Sequence, residues 1–209
     1  MRSSLAAVIA ALVASGPCAA EAPVAVPPDQ PVAGLTQAAW SQAWWQWAAS
    51  FDRRDSPIAD ETGERCASRQ QGDVWFLAGT YGTARTIRKC VVPRGKFLFF
   101  PLINYVVMPR DDRANCFAFI AEAARITDAV SYLIVDLDGR RLEHPEAYRQ
   151  ATQCFDVGSL ARPTARIYPS AANGYYVMLR PLEPGTHELN FGGVLPSMRQ
   201  AVTYALVVE

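Results

Sequence analysis

Four cysteines, Cys66, Cys90, Cys116 and Cys154, follow an export-type leader, and no other feature narrows the possible folds as much. The leader begins Met1-Arg2, with one positive charge, and runs through an unbroken apolar stretch over residues 5–14. Ser15-Gly16-Pro17 breaks that stretch, and Cys18-Ala19-Ala20 supplies small residues for a cleavage site. The pattern predicts a secretory signal peptide over 1–20, too short in its apolar part to span a bilayer. The alternatives are an N-terminal buried helix, or lipidation at Cys18, for which Pro17 is a poor neighbour. An even cysteine count in an exported chain predicts disulfides. Three connectivities exist and spacing does not choose among them. Nearest-in-chain pairing, Cys66–Cys90 and Cys116–Cys154, suits hairpin-like β topology and would contribute about 3.5 and 4 kcal/mol in the chain-entropy model. A metal site built from the four thiolates is the rival, and no C-x2-C spacing supports it.

Composition then sets the class. The chain has 209 residues, half of them apolar, with 20 Lys+Arg against 20 Asp+Glu. Such a chain is globular, of a size for one domain. Zero net charge argues against a nucleic-acid partner, which calls for a basic excess. Beyond the leader no segment approaches 18 consecutive apolar residues, so no membrane span is expected after signal removal. The predicted location is periplasmic or secreted.

Residues 21–35 carry four prolines and read as an extended, poorly ordered linker. Thr36 can cap a helix over about 36–51, in which Trp40, Trp44, Trp47 and Phe51 recur at helical spacing and Trp45 falls off the stripe. Residues 52–72 are polar and turn-rich. Strand signals follow at 74–78, 85–92 and 97–100, separated by Gly and Pro. A second helix is predicted over about 115–128, with Phe117, Ile120, Ala121 and Ala124 on one face. Residues 132–142 read as a hairpin turning at Asp138-Gly139. The stretch 143–172 is irregular. The C-terminus reads as a strand at 175–179, a Pro184-Gly185 turn with positive φ at Gly185, a strand at 187–191, a loop at Gly192-Gly193, and a strand at 202–208. The fold class is therefore mainly β: an antiparallel β-sandwich with two decorating helices, one domain over 36–209.

Several motifs resemble an uncharacterised group of exported bacterial proteins. They are Trp40-Ser41-Gln42-Ala43-Trp44-Trp45-Gln46-Trp47, Val74-Trp75-Phe76-Leu77-Ala78-Gly79-Thr80, and the ending Pro184-Gly185-Thr186-His187 with Phe191-Gly192-Gly193. The resemblance spans most of 40–208 and implies a single exported domain. It brings no activity and no catalytic residues.

Candidate chemistry is sparse. A tryptophan stripe at helical spacing reads as core; Trp45, off the stripe, is the candidate ligand-facing aromatic, for stacking on a sugar ring. Asn104, Asp111 and Arg113, in a loop after an apolar strand, form a second candidate binding set. Asp136-x-Asp138-Gly139 could open a calcium loop, but the remaining ligands are missing and a hairpin turn explains it. Two histidines, His144 and His187, specify no metal site, and no nucleophile elbow, zinc helix, P-loop or dinucleotide fingerprint occurs. No cofactor, metal or catalytic residue is expected. The reading is an exported soluble domain that binds a glycan or a protein, or serves structurally; the alternative is a hydrolase acting on envelope or extracellular polymer, with two carboxylates as acid and base.

Overall fold

The structure is a computed structural model that describes residues 24–82, 85–110, 115–158 and 167–209. Helix α1 covers Gln37–Ala49, capped by Thr36, whose hydroxyl accepts from Ala39 N at 3.2 Å. Strands β1 (Val74–Phe76), β2 (Arg85–Val92) and β3 (Phe97–Val107) follow, then helix α2 (Cys116–Asp128). The hairpin β4 (Tyr132–Leu137) and β5 (Arg140–Arg141) turns at Asp138 and Gly139, both at positive φ. After a short 3-10 helix come β6 (Arg149–Ala151), β7 (Ala171–Leu179), β8 (Gly185–Leu195) and β9 (Met198–Val208).

Two sheets form, one of four strands in the order β1-β3-β7-β6 and one of five in the order β2-β9-β8-β4-β5. They pack together as a mainly β, sandwich-like domain. Most pairs are antiparallel, but β1 runs parallel to β3 and β2 parallel to β9. Those two parallel pairs lie outside the antiparallel expectation; β2 intervenes between β1 and β3, and most of the domain intervenes between β2 and β9.

The four-stranded sheet is the middle layer. Tyr175, Val177 and Leu179 of β7 enter the core shared with the five-stranded sheet, beside Phe100, Ile103 and Phe191. Their neighbours Tyr176 and Met178 face α1 and pack with Trp44, Trp47 and Phe99. All nine residues of β7 are buried in consequence. β2 alternates exposed and buried throughout, because its outer side has no covering layer among the described residues.

The disulfides are Cys66–Cys90 and Cys116–Cys154, as nearest-in-chain pairing predicts. The tryptophan stripe is core, with Trp44 and Trp47 buried. Gly185 has φ 145°, the positive value expected of the turn.

Four expectations are corrected. The proline-rich stretch packs as part of the domain from residue 24 onward. Val26 N donates to Met178 O at 2.8 Å, Arg180 N donates to Val24 O at 2.8 Å, and Val26 and Val32 are buried. Its prolines favour the extended shape, and the free edge of β7 beyond β6 supplies the partners. The buried face of α2 is Ala123 and Thr127, while Phe117 stands in solvent at 86 % exposure. An apolar count along the helix misplaced that face because the sheet beneath offers polar partners there. β3 does not end at Pro101: the proline sits at a register shift between Pro101 and Ile103, where a missing N–H is tolerated. Gly192 and Gly193 lie inside β8 rather than in a loop. A Cβ on Gly192 would stand 2.1 Å from Gln200 O of β9, so only glycine permits that strand pair.

Candidate functional site

The structure brings two of the sequence-predicted site residues, Trp45 and Asn104, to one atom. Trp45, half-buried on α1, donates its indole N–H to the Tyr176 hydroxyl at 2.9 Å. Asn104 on β3 donates Nδ2–H to the same oxygen at 3.1 Å. Tyr176 on β7 lies flat against Phe99, with ring centroids 5.6 Å apart. Burial pushes the Tyr176 phenol well above its ordinary pKa, against the smaller opposing pull of its Asn104 and Trp45 bonds. It therefore stays neutral and acts as an acceptor that ties α1 to the sheet. Gly174 faces Asn104 in register; a Cβ there would stand 2.6 Å from Asn104 Cα, so the glycine gives Asn104 its room. Asp111 and Arg113 lie outside the described residues.

Every tryptophan of α1 uses its polar edge in the same way. Trp40 donates to Val32 O, Trp44 to Leu77 O and Trp47 to Ser68 O, at 2.9, 3.0 and 3.0 Å. An indole N–H buried with a carbonyl partner is the usual satisfied state. The stripe is thus a set of pins, one per connecting segment.

A second constellation centres on Arg88, fully buried on β2. Its Nε donates to Asp60 O at 2.6 Å, and Nη1 to Ala78 O, Gly79 O and the Tyr204 hydroxyl at 2.7, 2.9 and 3.1 Å. Nη2 reaches Ile58 O at 3.1 Å. A guanidinium spent on four carbonyls and a phenol fastens the 56–66 loop over the strand, next to the Cys66–Cys90 bridge. The Asp60 carboxylate is buried in that loop. Burial alone would raise its pKa, but the Arg65 and Thr62 N–H groups and the Thr62 hydroxyl outweigh burial and hold it below the usual carboxylate value.

A third group joins α2 to the sheet. Arg149 donates to Asn173 Oδ1 at 2.9 Å, Asp128 Oδ1 at 2.6 Å and Ala124 O at 3.0 Å, and Thr127 donates to Asn173 Oδ1 at 2.8 Å. A cation here also meets the C-terminal carbonyls of α2, where the helix dipole favours it. The two sheets are joined by Gln200 on β9: its Nε2 donates to Pro101 O and Leu102 O at 2.7 and 3.0 Å, at the register shift of β3, and its Oε1 accepts from Thr80 N at 2.8 Å.

At the hairpin tip, His187 Nδ1 meets Asp138 Oδ2 at 2.7 Å and Nε2 meets Glu183 O at 2.9 Å. Burial lowers the His187 pKa, but the Asp138 bond, the Glu183 carbonyl and the Asp138 charge outweigh it, and the net shift is upward. Two acceptors around one ring are satisfied together only by the imidazolium. Asp136 Oδ1 accepts from Gly139 N at 3.0 Å, which makes the Asp136-x-Asp138-Gly139 stretch a hairpin turn.

No family model matches the chain, and no curated protein matches it. Among solved structures, a chain described as "Structure of PbICP-C in complex with falcipain-2" aligns over 66 % of this chain and all of its own, at 8 % identity and a TM-score of 0.30. A likeness that faint carries no argument about fold or function.

Chemically, these groups can hold layers in register. Among the described residues, no three His, Cys, Asp or Glu side chains are grouped to hold a metal, and no helix is long and apolar enough to cross a membrane. Sequence reasoning missed Arg88, Tyr176 and Gln200. Arg88 carried a signal: it is the one cation at an inward position of an otherwise alternating strand. Gln200 carried none, since its partners lie about a hundred residues away in the chain.

Proposed function

We propose that the chain is an exported domain, periplasmic or secreted, that binds a glycan or a protein or serves structurally, and does not catalyse. One observation carries the reading. The described candidate residues Trp45 and Asn104 spend their donors on Tyr176, and buried Arg88 is spent on backbone carbonyls and Tyr204. A catalytic centre instead needs titratable groups free to face a substrate in a common cleft. The two disulfides support export, since such bonds persist in oxidising compartments. The resemblance of its motifs to those of an exported bacterial group supports it further.

The test is a thermal-shift screen of the exported chain against glycans and small ligands, with and without calcium, run beside hydrolysis assays on envelope polymers. The reading expects a ligand class that raises the melting point without turnover. Turnover that disappears in a carboxylate variant with unchanged melting would overturn it in favour of a hydrolase.

A further inference from the structure

β1 lies at one edge of the four-stranded sheet, where β3 is its strand partner. It opens the run Val74-Trp75-Phe76-Leu77-Ala78, five apolar residues with no charge and no proline. Edge strands ordinarily discourage further pairing with charges, proline or a bulge, and an uncharged apolar edge is a template for another strand. The backbone groups of this run alternate in direction. Asp73 O accepts from Phe97 N and Leu77 N donates to Phe99 O, both at 3.0 Å, so the odd positions face β3. The groups of Val74, Phe76 and Ala78 face the other way, out from the sheet.

Each of these three is taken by something other than a strand. Val74 forms an isolated bridge with Gln71. Ala78 N donates to the Tyr204 hydroxyl at 3.1 Å, and Ala78 O accepts from Arg88 Nη1 at 2.7 Å. Phe76, between them, is held by one side chain. Its N–H donates to Gln70 Oε1 at 2.9 Å, and its carbonyl accepts from Gln70 Nε2 at 2.8 Å. A primary amide carries a donor and an acceptor side by side, so Gln70 reproduces one rung of a β-ladder. The segment that bears it is firmly fastened. Cys66 is bridged to Cys90, Cys66 O accepts from Gln70 Nε2 at 2.8 Å, and Ser68 O accepts from Trp47 Nε1 at 3.0 Å. Arg69 lays its guanidinium over Phe51 at 4.7 Å, donates to Ser50 O, and takes φ 53°. A non-glycine residue in the left-handed region is held there by its surroundings. That twist stands directly before the residue that closes the edge.

We propose that Gln70 is an edge guard: its amide occupies the pairing position beside Phe76 and keeps residues 74–78 of a second copy from adding there. A second copy is the occupant it excludes, because two opened edges present the same uncharged apolar strand and pair with each other about a two-fold axis.

Residue-resolved hydrogen exchange on the whole chain, with both disulfides intact, tests the closure, and sedimentation tests what the closure excludes. In the wild type the Phe76 amide is expected to exchange at least about tenfold more slowly than in an unstructured peptide, the equivalent of one hydrogen bond. Gln70→Met keeps the length of the side chain and removes both of its bonds to Phe76. It speeds exchange at Phe76 by about tenfold, leaves Leu77 as slow as before, and raises concentration-dependent association above that of the wild type. Unchanged far-UV circular dichroism checks that the variant folds, and the wild-type exchange rate decides the closure without it. A wild-type Phe76 amide that exchanges at the free-peptide rate overturns the proposal. So does Phe76 exchange indifferent to Gln70→Met, or a folded variant with a fast Phe76 amide that sediments as the wild type does.

Discussion

The two sheets have similar strand lengths and opposite environments. β7, in the middle of its sheet, is buried at all nine positions, between α1 on one side and the second sheet on the other. β2 of the five-stranded sheet is buried at every second position, because only its inner side meets a layer. One sheet is an interior wall and the other an outer wall with one bare side. A continuous apolar run marks the first kind of strand and alternation marks the second. The comparison also places the polar groups: those that hold layers together sit on or against the interior wall, at Tyr176, Asn104, Asn173 and the Pro101 register shift.

The comparison breaks most severely if β9 is removed. β9 pairs β8 antiparallel and β2 parallel, so truncation after Gly193 strips both neighbours of a partner and exposes an edge. The 21–193 fragment is expected to lose cooperative unfolding and to aggregate; a soluble fragment with a sharp thermal transition would mean the outer wall closes without its second strand.

Next in size is Trp44→Ala. Trp44 is buried between α1 and the interior wall and donates to Leu77 O, so its loss should cost about 3–5 kcal/mol in chemical denaturation. A change of a few tenths would take α1 out of the core.

Tyr176→Phe is smaller. It keeps the ring on Phe99 but leaves the Trp45 and Asn104 donors without their acceptor, for a loss of about 1–3 kcal/mol. An unchanged stability would show that the hydroxyl does not pin α1.

The smallest effect is at the hairpin tip of the outer wall. The folded His187 pKa is raised, so its contribution is fully present below the unfolded value of 6.5 and is lost as pH rises through the folded value. Asp138 is lowered, burial opposing and the His187 bond and Glu188 N–H prevailing, so its contribution is present above the unfolded 3.8 and lost as pH falls through the folded value. The clamp is therefore strongest between 3.8 and 6.5. His187→Gln should flatten a decline in melting temperature above that window. NMR titration of His187 giving a value at or below that of free imidazole would remove the clamp.

Much of this layout was legible in the sequence, where the cause is local. Thr36 caps α1, Asp138-Gly139 turns the hairpin, Gly185 takes positive φ, and an even count of cysteines behind an export-type leader leads to the two bridges. What escaped depends on distant chain. The proline-rich lead-in is held by Met178 and Arg180 of β7, and Gly192 is required by Gln200 O across the ladder. The face of α2 turns on Asn173 and Arg149, which come tens of residues later. Trp45 and Asn104, which the sequence places in two separate candidate sets, meet on a tyrosine that no spacing could have pointed to.

One paired measurement tests the contrast of walls most directly. Val177→Thr and Val91→Thr make the same near-isosteric change, one on the interior wall and one on the bare side of the outer wall. Urea unfolding should show Val177→Thr destabilised by about 1–3 kcal/mol, the cost of burying a hydroxyl with no partner, and Val91→Thr changed by no more than about 0.5 kcal/mol. Equal losses at the two positions would contradict the account, because the outer face would then be as covered as the core.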